Sequence, residues 1–565
     1  MRPSSSFRDP RSIAARVVGV LGVADLVMSG LAPHLAPAVF LPLAWLGGGL
    51  AALTCGCSLL VLAAGLRRGL RSAWLLSIVA LAQAVLASPA NHDTLALLPI
   101  IPLALLLAQL NHFAVRPRRP WRGSIAVLAG SMATWALGET IHHGHVRSAL
   151  AHVARAEESS PHPRTAHALL VHAPQLWPWL PLTGVASLLL LWGLYGLTVP
   201  SFVAPDAARQ VRERARRLFE QQGSNPLGYF AATGDKCLWE APGGGGVVAY
   251  RVFGTTALVA GDPLAAPADL PGVVAAFVSY CRDRGWTPAF YQVLPGTLPV
   301  YRALGFRALA IGREAVIDLP AFTLQGKRIA NVRHSVTHAE RAGLSVKLYR
   351  ADEIDARTRA ELLDISREWL ATKAGGELGF TMGQLGPDGS PMPGARVAIA
   401  YDRDNRPQAF ITLNPAGSGR GWTLDLMRRR RTAESGTMDL LIARTAEALR
   451  DEGFAIFSLS LVPMASDEDD DEDAPTLARR VRATLFHRMD GLYNYRSLFN
   501  YKKKFGVRWE TRYLVYAGNM ALPAAIYATA RAHMPAHLVT FPTLRVRGGS
   551  GRAAREPLPV ERSVA

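Results

Sequence analysis

The sequence predicts a two-part protein: an α-helical N-terminal half built to cross a lipid bilayer, followed by an α/β half made of two similar units. Three observations predict it. Residues 1–200 hold fourteen Arg, no Lys and six Asp or Glu in a background of Leu, Ala, Val and Gly, whereas the remaining 365 residues carry 48 Lys and Arg against 38 acids. Apolar stretches in the first part recur at about the 20 residues a helix needs to cross hydrocarbon. The second part alternates short apolar runs with amphipathic segments, as strands alternating with helices do. A chain of 565 residues also exceeds what one core accommodates. The four cysteines, Cys55, Cys57, Cys237 and Cys281, show neither a disulfide framework nor zinc-site spacing.

Six spans are expected, near 15–33, 40–66, 72–89, 95–113, 123–141 and 179–200. The connections orient them. Arg2, Arg8, Arg11 and Arg16 precede the first span; Arg67, Arg68 and Arg71 follow the second; Arg116, Arg118, Arg119 and Arg122 follow the fourth. The alternate loops, at His34 and at Asn91 to Asp93, carry no Lys or Arg. Positive charge stays on the cytosolic side, so both termini are expected there, in a multi-pass membrane protein. The loop at 142–178 is rich in His, including His142, His143 and His145, but irregular spacing among Pro and Ala reads as a polar loop, and no metal site is expected. The first domain is thus 1–200. Residues 201–224, with Arg209, Arg212, Arg214, Arg216 and Arg217, form a basic helix and linker leaving the bilayer.

From about 225 to 520 the pattern is α/β. Gly246 to Phe253 and Thr256 to Ala260 read as neighbouring strands, and the bare glycine run Gly243 to Gly246 reads as a hairpin turn. A helix follows at Pro271 to Arg284, then a strand at Thr287 to Leu294. The segment Leu298 to Phe306 holds Tyr-Arg-Ala-Leu-Gly-Phe, which resembles the closing helix and turn of the GNAT acyltransferase fold, with Gly305 as a left-handed helix stop. A second unit repeats the plan: helix Ile354 to Thr372, strands Val397 to Tyr401, Ala409 to Asn414 and Gly421 to Met427, helix Thr437 to Glu452, strand Phe454 to Leu461. Two such units are expected to pack as one body with a cleft between them. The glycine-rich loop with which GNAT enzymes hold acyl-CoA is missing, so another acyl donor is required. Residues 521–565 read as an amphipathic helix and a disordered tail.

Several blocks in the second part carry a more specific resemblance. They are Gly261-Asp262-Pro263, the basic stretch Gly326-Lys327-Arg328 to Arg333, Phe380-Thr381-Met382-Gly383, Leu424-Asp425-Leu426-Met427-Arg428, Tyr493-Asn494-Tyr495, Tyr501-Lys502-Lys503-Lys504-Phe505 and Trp509-Glu510-Thr511-Arg512-Tyr513-Leu514. In this order, behind apolar helices, they resemble the C-terminal synthase domain of the MprF family, the aminoacyl-phosphatidylglycerol synthases. Gln384, Gly506-Val507, Thr511 and the seven-acid run Asp467 to Asp473 depart from the usual pattern.

The resemblance implies transesterification: a glycerol hydroxyl of phosphatidylglycerol attacks the aminoacyl ester of a tRNA, with lysyl or alanyl the expected group. The donor is already activated, so no cofactor is expected; the enzyme positions two substrates, moves a proton and stabilises an oxyanion. The catalytic candidates are Asp425, Arg428 and Glu510. Asp425 would accept the hydroxyl proton or hold the ammonium group, and Arg428 a phosphate or the oxyanion; an ordinary strand-end ion pair is the alternative. Asn494, Lys502, Lys504, Trp509, Arg512, Phe380 and Met382 are the substrate-binding candidates, since cations beside aromatic rings suit a phosphate with a nucleoside or lipid headgroup. Arg328 and Arg333 are candidates for the RNA backbone. Asp262 reads as a turn-former. The expected partners are therefore aminoacyl-tRNA, phosphatidylglycerol and the membrane. Rival readings are transfer to a peptidoglycan lipid precursor, a plain acyl-CoA N-acyltransferase, and a non-catalytic membrane protein that binds tRNA or lipid.

Overall fold

The computed structural model describes residues 10–31, 48–87, 100–109, 113, 115, 124–126, 128–130, 179–199, 209–223, 225–232, 235–372, 379–416, 418–463 and 495–533. Helices α1 (Pro10–Leu31), α2 (Gly48–Arg67), α3 (Arg71–Ala87), α4 (Ile100–Ala108) and α5 (Trp179–Leu197) fall on five of the expected spans. The span expected at 123–141 is described only in part, and the His-rich loop, the acidic run and Asn494 lie outside the described residues. Among the described residues no helix is long and apolar enough to cross a membrane.

These helices pack through small residues and short polar contacts. A side chain on Gly22 would come within 2.9 Å of the Gly56 carbonyl, and one on Gly56 within 2.9 Å of the Gly22 carbonyl, so α1 and α2 meet backbone to backbone. Thr54 Oγ1 donates to Ser187 Oγ (3.0 Å), and Trp74 Nε1 to the Leu106 carbonyl (2.8 Å). Their outward faces are apolar: of eighteen exposed large hydrophobic residues among the described ones, fourteen lie between Val20 and Tyr195.

Basic helix α6 (Arg209–Gln222) is amphipathic, and its apolar side seats Ala215 and Phe219 against Leu238, Val247 and Ala249 of the α/β half. Its role as a surface helix is thus split. One face belongs to the α/β core, while Arg209, Arg212, Arg216 and Arg217 remain exposed.

The α/β half is one twelve-stranded sheet, so the two units form one body joined by continuous strand pairing. In chain order its elements are β1 (Cys237–Glu240), β2 (Gly246–Phe253), β3 (Thr256–Ala260), β4 (Leu264–Ala265), α7 (Leu270–Asp283), β5 (Thr287–Val293), α8 (Leu298–Ala303), β6 (Arg307–Asp318), α9 (Ala330–Arg341), β7 (Ser345–Arg350), α10 (Ala356–Leu370), β8 (Arg396–Tyr401), β9 (Pro407–Ala416), β10 (Gly421–Arg429), α11 (Thr437–Asp451), β11 (Ile456–Pro463), α12 (Tyr495–Lys503), β12 (Arg508–Tyr516) and α13 (Leu522–His533). The strand order is β1-β2-β3-β5-β12-β6-β11-β10-β9-β8-β7, with β4 on β2. Each half contains antiparallel strands followed by one parallel step, β3 with β5 and β10 with β11, which is the GNAT plan. The antiparallel pair β6 and β12 forms the seam. The last strand thus returns to sit beside β5, far from its sequence neighbours.

Helices cover each half on both faces. In the first, α7 and α8 bury Phe277, Cys281 and Tyr301 against Tyr250, Val259 and Phe290, and α13 covers Leu258 and Ala260 opposite. In the second, α9 and α11 pack over Ile411 and Leu413, and α10 over Ile399 and Phe410. The turn before β2 places Gly243 and Gly244 at φ +82° and +76°, a conformation that glycine adopts without strain. Helix α13 lies in the segment expected as an amphipathic helix and packs on the body, with Leu522, Ala525, Ala528 and Ala532 buried.

Candidate active site

A parallel strand pair that separates opens a wedge in the sheet. The β10–β11 ladder holds at Gly421, Trp422 and Thr423 opposite Ile456, Phe457 and Ser458 and goes no further. Immediately beyond, both strands bulge, β10 between Leu424 and Met427 against β9, and β11 between Ser458 and Leu461 against β6. A bulge re-aims the side chains it carries. The residue so re-aimed on β10 is Asp425, and on β11 it is Ser460, held at φ +68°. Ser460 Oγ donates to the Leu424 carbonyl across the opening.

Asp425 is half-buried and firmly oriented. Its Oδ1 accepts from the Gly383 N–H (2.9 Å) and its Oδ2 from Asn414 Nδ2 (3.0 Å). The sequence blocks around Gly383 and Asp425 therefore meet in space. Gly383 is required by proximity, since a Cβ there would overlap Oδ2 and lie 3.1 Å from Asp425 Cγ. The loop behind it is tied at several points. Phe380 is buried at φ +69°, the Thr381 hydroxyl meets His533 Nε2 (3.0 Å), and the Gly379 N–H donates to the His533 carbonyl (3.3 Å). Burial pulls the pKa of His533 down, which keeps the imidazole neutral while its Nδ1 pairs with the Thr529 carbonyl (2.8 Å). Met382 stands partly exposed at the rim. Tyr229, from the first half, donates to the Pro393 carbonyl (2.8 Å); burial, then the Asp425 charge, raises its pKa.

Arg428 is buried on the α10 side, where Nη1 donates to Ser366 Oγ (2.8 Å) and the guanidinium lies 5.0 Å from the Trp369 ring centroid. Two elements thus anchor Asp425 and Arg428, although they are three residues apart.

The second expected cluster divides into three. Arg512 forms a buried ion pair with Glu314 and a second, at 2.9 Å, with Glu510; Ser458 Oγ donates to Glu314, and Arg508 pairs with Glu510. Burial pushes the Glu510 carboxyl up, but Arg512 and Arg508 hold it below its ordinary value. Lys502 is buried beside this network, its Nζ donating to the carbonyls of Ser460 (3.1 Å) and Leu461 (3.2 Å), and burial drags its pKa down to about 7 against the opposing pull of Glu314. Lys504 belongs elsewhere. Its Nζ grips both oxygens of the buried Asp439 on α11 (2.6 and 2.7 Å), so its charge is already matched within the protein. Trp509 stacks on Phe499 with ring centroids 4.5 Å apart, part of the packing around the second core. Arg328 and Arg333 are exposed on and beside α9, where Arg333 also ties the carbonyls of Leu324 (2.8 Å) and Gly326 (3.1 Å).

The first half has the corresponding position. The β3–β5 ladder ends at Ala260 opposite Tyr291, and Asp262 lies two residues on, as Asp425 lies two residues past Thr423. Asp262 is no mere turn-former. It is fully buried and accepts from Asn225 Nδ2 (2.9 Å), Thr297 Oγ1 (2.6 Å), Tyr301 Oη (3.0 Å) and the Leu294 N–H (3.1 Å). Four donors saturate that carboxylate, which makes it a structural hub. A cavity borders Asp262, lined by Asn225, Pro263, Leu264, Gly296, Thr297 and Val300, while Asp425 stands where the β10–β11 pair separates.

Asn414, Ser460, Glu314, Tyr229 and His533 were not anticipated from sequence. Only Glu314 left a signal there, as an acid beside Arg313 between the apolar runs Ala308 to Ile311 and Ala315 to Ile317 of β6. Among the described residues no group of His, Cys, Asp and Glu could hold a metal ion.

The family described as "Phosphatidylglycerol lysyltransferase, C-terminal" matches residues 216–516. The lysylphosphatidylglycerol biosynthesis bifunctional protein LysX of Mycobacterium avium is 32% identical over 312 residues, covering 54% of this chain and 26% of that protein. The phosphatidylglycerol lysyltransferase of Bacillus subtilis is 27% identical over 319 residues, covering 56% of this chain and 36% of that protein. The chain thus spans about a quarter to a third of the length of these relatives. The solved structure of L-PGS from Bacillus licheniformis is similar at 26% identity and TM-score 0.51, covering 58% of this chain and 96% of that one.

Proposed function

The chain belongs to the phosphatidylglycerol lysyltransferase C-terminal family, and from that premise we propose that it transfers a lysyl group from aminoacyl-tRNA to phosphatidylglycerol at the wedge beside Asp425. The observation that carries the reading is the contrast between the two halves. Asp262 is fully buried among four internal donors, whereas Asp425 is half-buried, held by the Gly383 N–H and Asn414 Nδ2 among its contacts, and set where the sheet opens.

In this reading Asp425 takes the proton of the attacking glycerol hydroxyl. The hydroxyl oxygen bonds to the aminoacyl carbonyl carbon, the bond from that carbon to the ribose oxygen breaks, and the proton passes to the departing ribose oxygen. Arg428 and Lys502 supply positive charge near the wedge for phosphate and developing oxyanion, whereas the charge of Arg512 is already matched by Glu314 and Glu510. Exposed Lys327, Arg328, Arg333, Lys503 and Arg508 suit an RNA backbone. Lys504 has no part in substrate binding. The uncharged tRNA and the modified lipid are the products, and the lipid exchanges net negative charge for positive.

The membrane reading is supported by the arginine-bearing loops, by the exposed apolar residues of α1–α5 and by the close glycine contact of α1 with α2. Both termini are then cytosolic. Lipid mass spectrometry of cells with and without the gene tests the function. Lysyl-phosphatidylglycerol should vanish on deletion and return on complementation. An unchanged lipid profile, or loss of an amino acid from a lipid-linked sugar instead, would overturn it.

A further inference from the structure

The sheet has two ends, and several independent features gather at one of them. It is the end at which β5 begins at Thr287, β6 begins at Arg307 and β12 finishes at Tyr516, because Tyr516 pairs with both Ala289 and Arg307. The N-terminal helices touch the α/β half there. A side chain on Gly285, in the turn between α7 and β5, would come within 3.0 Å of the Arg68 carbonyl, and Arg11 Nη1 lies 3.5 Å from the Arg282 carbonyl. Arg68 and Arg11 belong to the basic segments that the charge pattern assigns to the cytosolic membrane surface.

The same end exposes apolar side chains. Among the described residues of the α/β half, the exposed large hydrophobics are Leu304, Met382, Met520 and Tyr527. Leu304 sits in the turn before β6, and Met520, 87% exposed, in the turn after β12, so both lie at these strand ends. Tyr527 continues from Met520 along α13, and the segment from Val515 to Ala530 contains no charged residue at all. Around them stand exposed Arg282, Arg284, Arg302 and Arg307 against one exposed acid, Asp283. Apolar tips ringed by arginine fit the interface of an anionic bilayer.

The wedge opens toward the same end. β11 runs antiparallel to β6, from Ile456 opposite Asp318 to Pro463 opposite Gly312, and therefore heads toward Arg307. Since β10 runs parallel to β11 and is paired only at its start, the gap beside Asp425 widens in that direction.

We propose that this end of the α/β half, with Met520 and Leu304 as apolar tips and Arg302 and Arg307 beside them, rests on the anionic bilayer surface and presents the Asp425 wedge to lipid headgroups. The proposal rests on the membrane reading above and adds a second point of attachment, independent of α1–α5. Lipid substrate then reaches the wedge without leaving the bilayer, while charged tRNA approaches from the aqueous side.

The test uses the full chain in nanodiscs containing phosphatidylglycerol, with Cys55, Cys57, Cys237 and Cys281 replaced by alanine. A spin label is placed by Met520→Cys or, as an aqueous reference, by Lys327→Cys, beyond the opposite end of β6. The label at 520 should be accessible to oxygen and shielded from a water-soluble nickel chelate, and the label at 327 the reverse. Equal nickel accessibility at both positions, in protein that stays in the nanodisc, overturns the proposal and leaves the membrane reading intact. Failure of the chain to remain in the nanodisc sinks the membrane reading and the proposal together. Independently, Met520→Glu should lower the rate on vesicle phosphatidylglycerol severalfold and leave the rate on a dispersed short-chain analogue unchanged. Equal effects on both substrates would contradict a docking role.

Discussion

Gly383→Ala isolates the positioning of Asp425 from its chemistry. The added methyl would lie 3.1 Å from Asp425 Cγ and 3.0 Å from Met392 Sδ, and would overlap Oδ2. Two carbons are comfortable at about 3.5–4.0 Å, so the carboxylate must retreat by roughly 0.5–1 Å and loosen its bond from the Gly383 N–H. The retreating group is the end of a flexible side chain at a half-buried site, so the fold should tolerate the change. Turnover should not. A displacement of about 1 Å at a reacting centre costs on the order of 10²-fold, equivalent to about 2.7 kcal/mol in the barrier. The assay is the initial rate of labelled lysyl transfer from charged tRNA to phosphatidylglycerol, with thermal unfolding measured in parallel. A fall in kcat with an unmoved KM for tRNA and a midpoint within a few degrees of wild type is expected. Wild-type kcat would show that Asp425 needs no fixed position, and the reasoning would fail.

Other perturbations separate structure from chemistry. Lys504→Ala strands the buried Asp439 carboxylate and should cost about 3 kcal/mol of stability with little change in KM for tRNA, and partial recovery in the double variant with Asp439→Leu would identify a pair rather than a phosphate contact. Asp262→Ala orphans four donors, and should lower the unfolding midpoint sharply while any folded fraction keeps its kcat. Lys502 binds its proton with a pKa of about 7 when folded against 10.5 when unfolded, so the unfolded chain holds more protons between those values and stability should rise with pH across that window. Lys502→Met should flatten that rise in unfolding scans from pH 7 to 10; an unchanged slope would place the titration elsewhere.

The sequence made strands β2, β3 and β5, helix α7 and the Gly305 stop legible because each is a local signal: apolar alternation, amphipathic spacing, a glycine at φ +80°. It also brought Asp425 forward, through a block that the family resemblance made recognisable. What stayed hidden is long-range. The insertion of β12 between β5 and β6 separates residues 508–516 from their sequence neighbours, and no local pattern encodes that pairing. Lys504 and Lys502 are two residues apart in a run of identical side chains, yet one meets Asp439 and the other sinks beside Glu314. Only the helix and the sheet around them distinguish the two. Asp262 misled for a similar reason: Gly-Asp-Pro has the composition of a turn, and its four donors come from as far as 39 residues away.

The central claim is that the wedge at Asp425 moves an aminoacyl group from tRNA to phosphatidylglycerol. It is tested most directly with the full chain reconstituted in phosphatidylglycerol vesicles, supplied with purified lysyl-tRNA and no ATP. Labelled lysine should appear in the lipid fraction, ribonuclease pretreatment should abolish it, and Asp425→Asn, nearly isosteric, should lower turnover about 10²-fold or more while the protein stays folded. Transfer that survives ribonuclease, or a folded Asp425→Asn protein with near-normal turnover, would contradict the account.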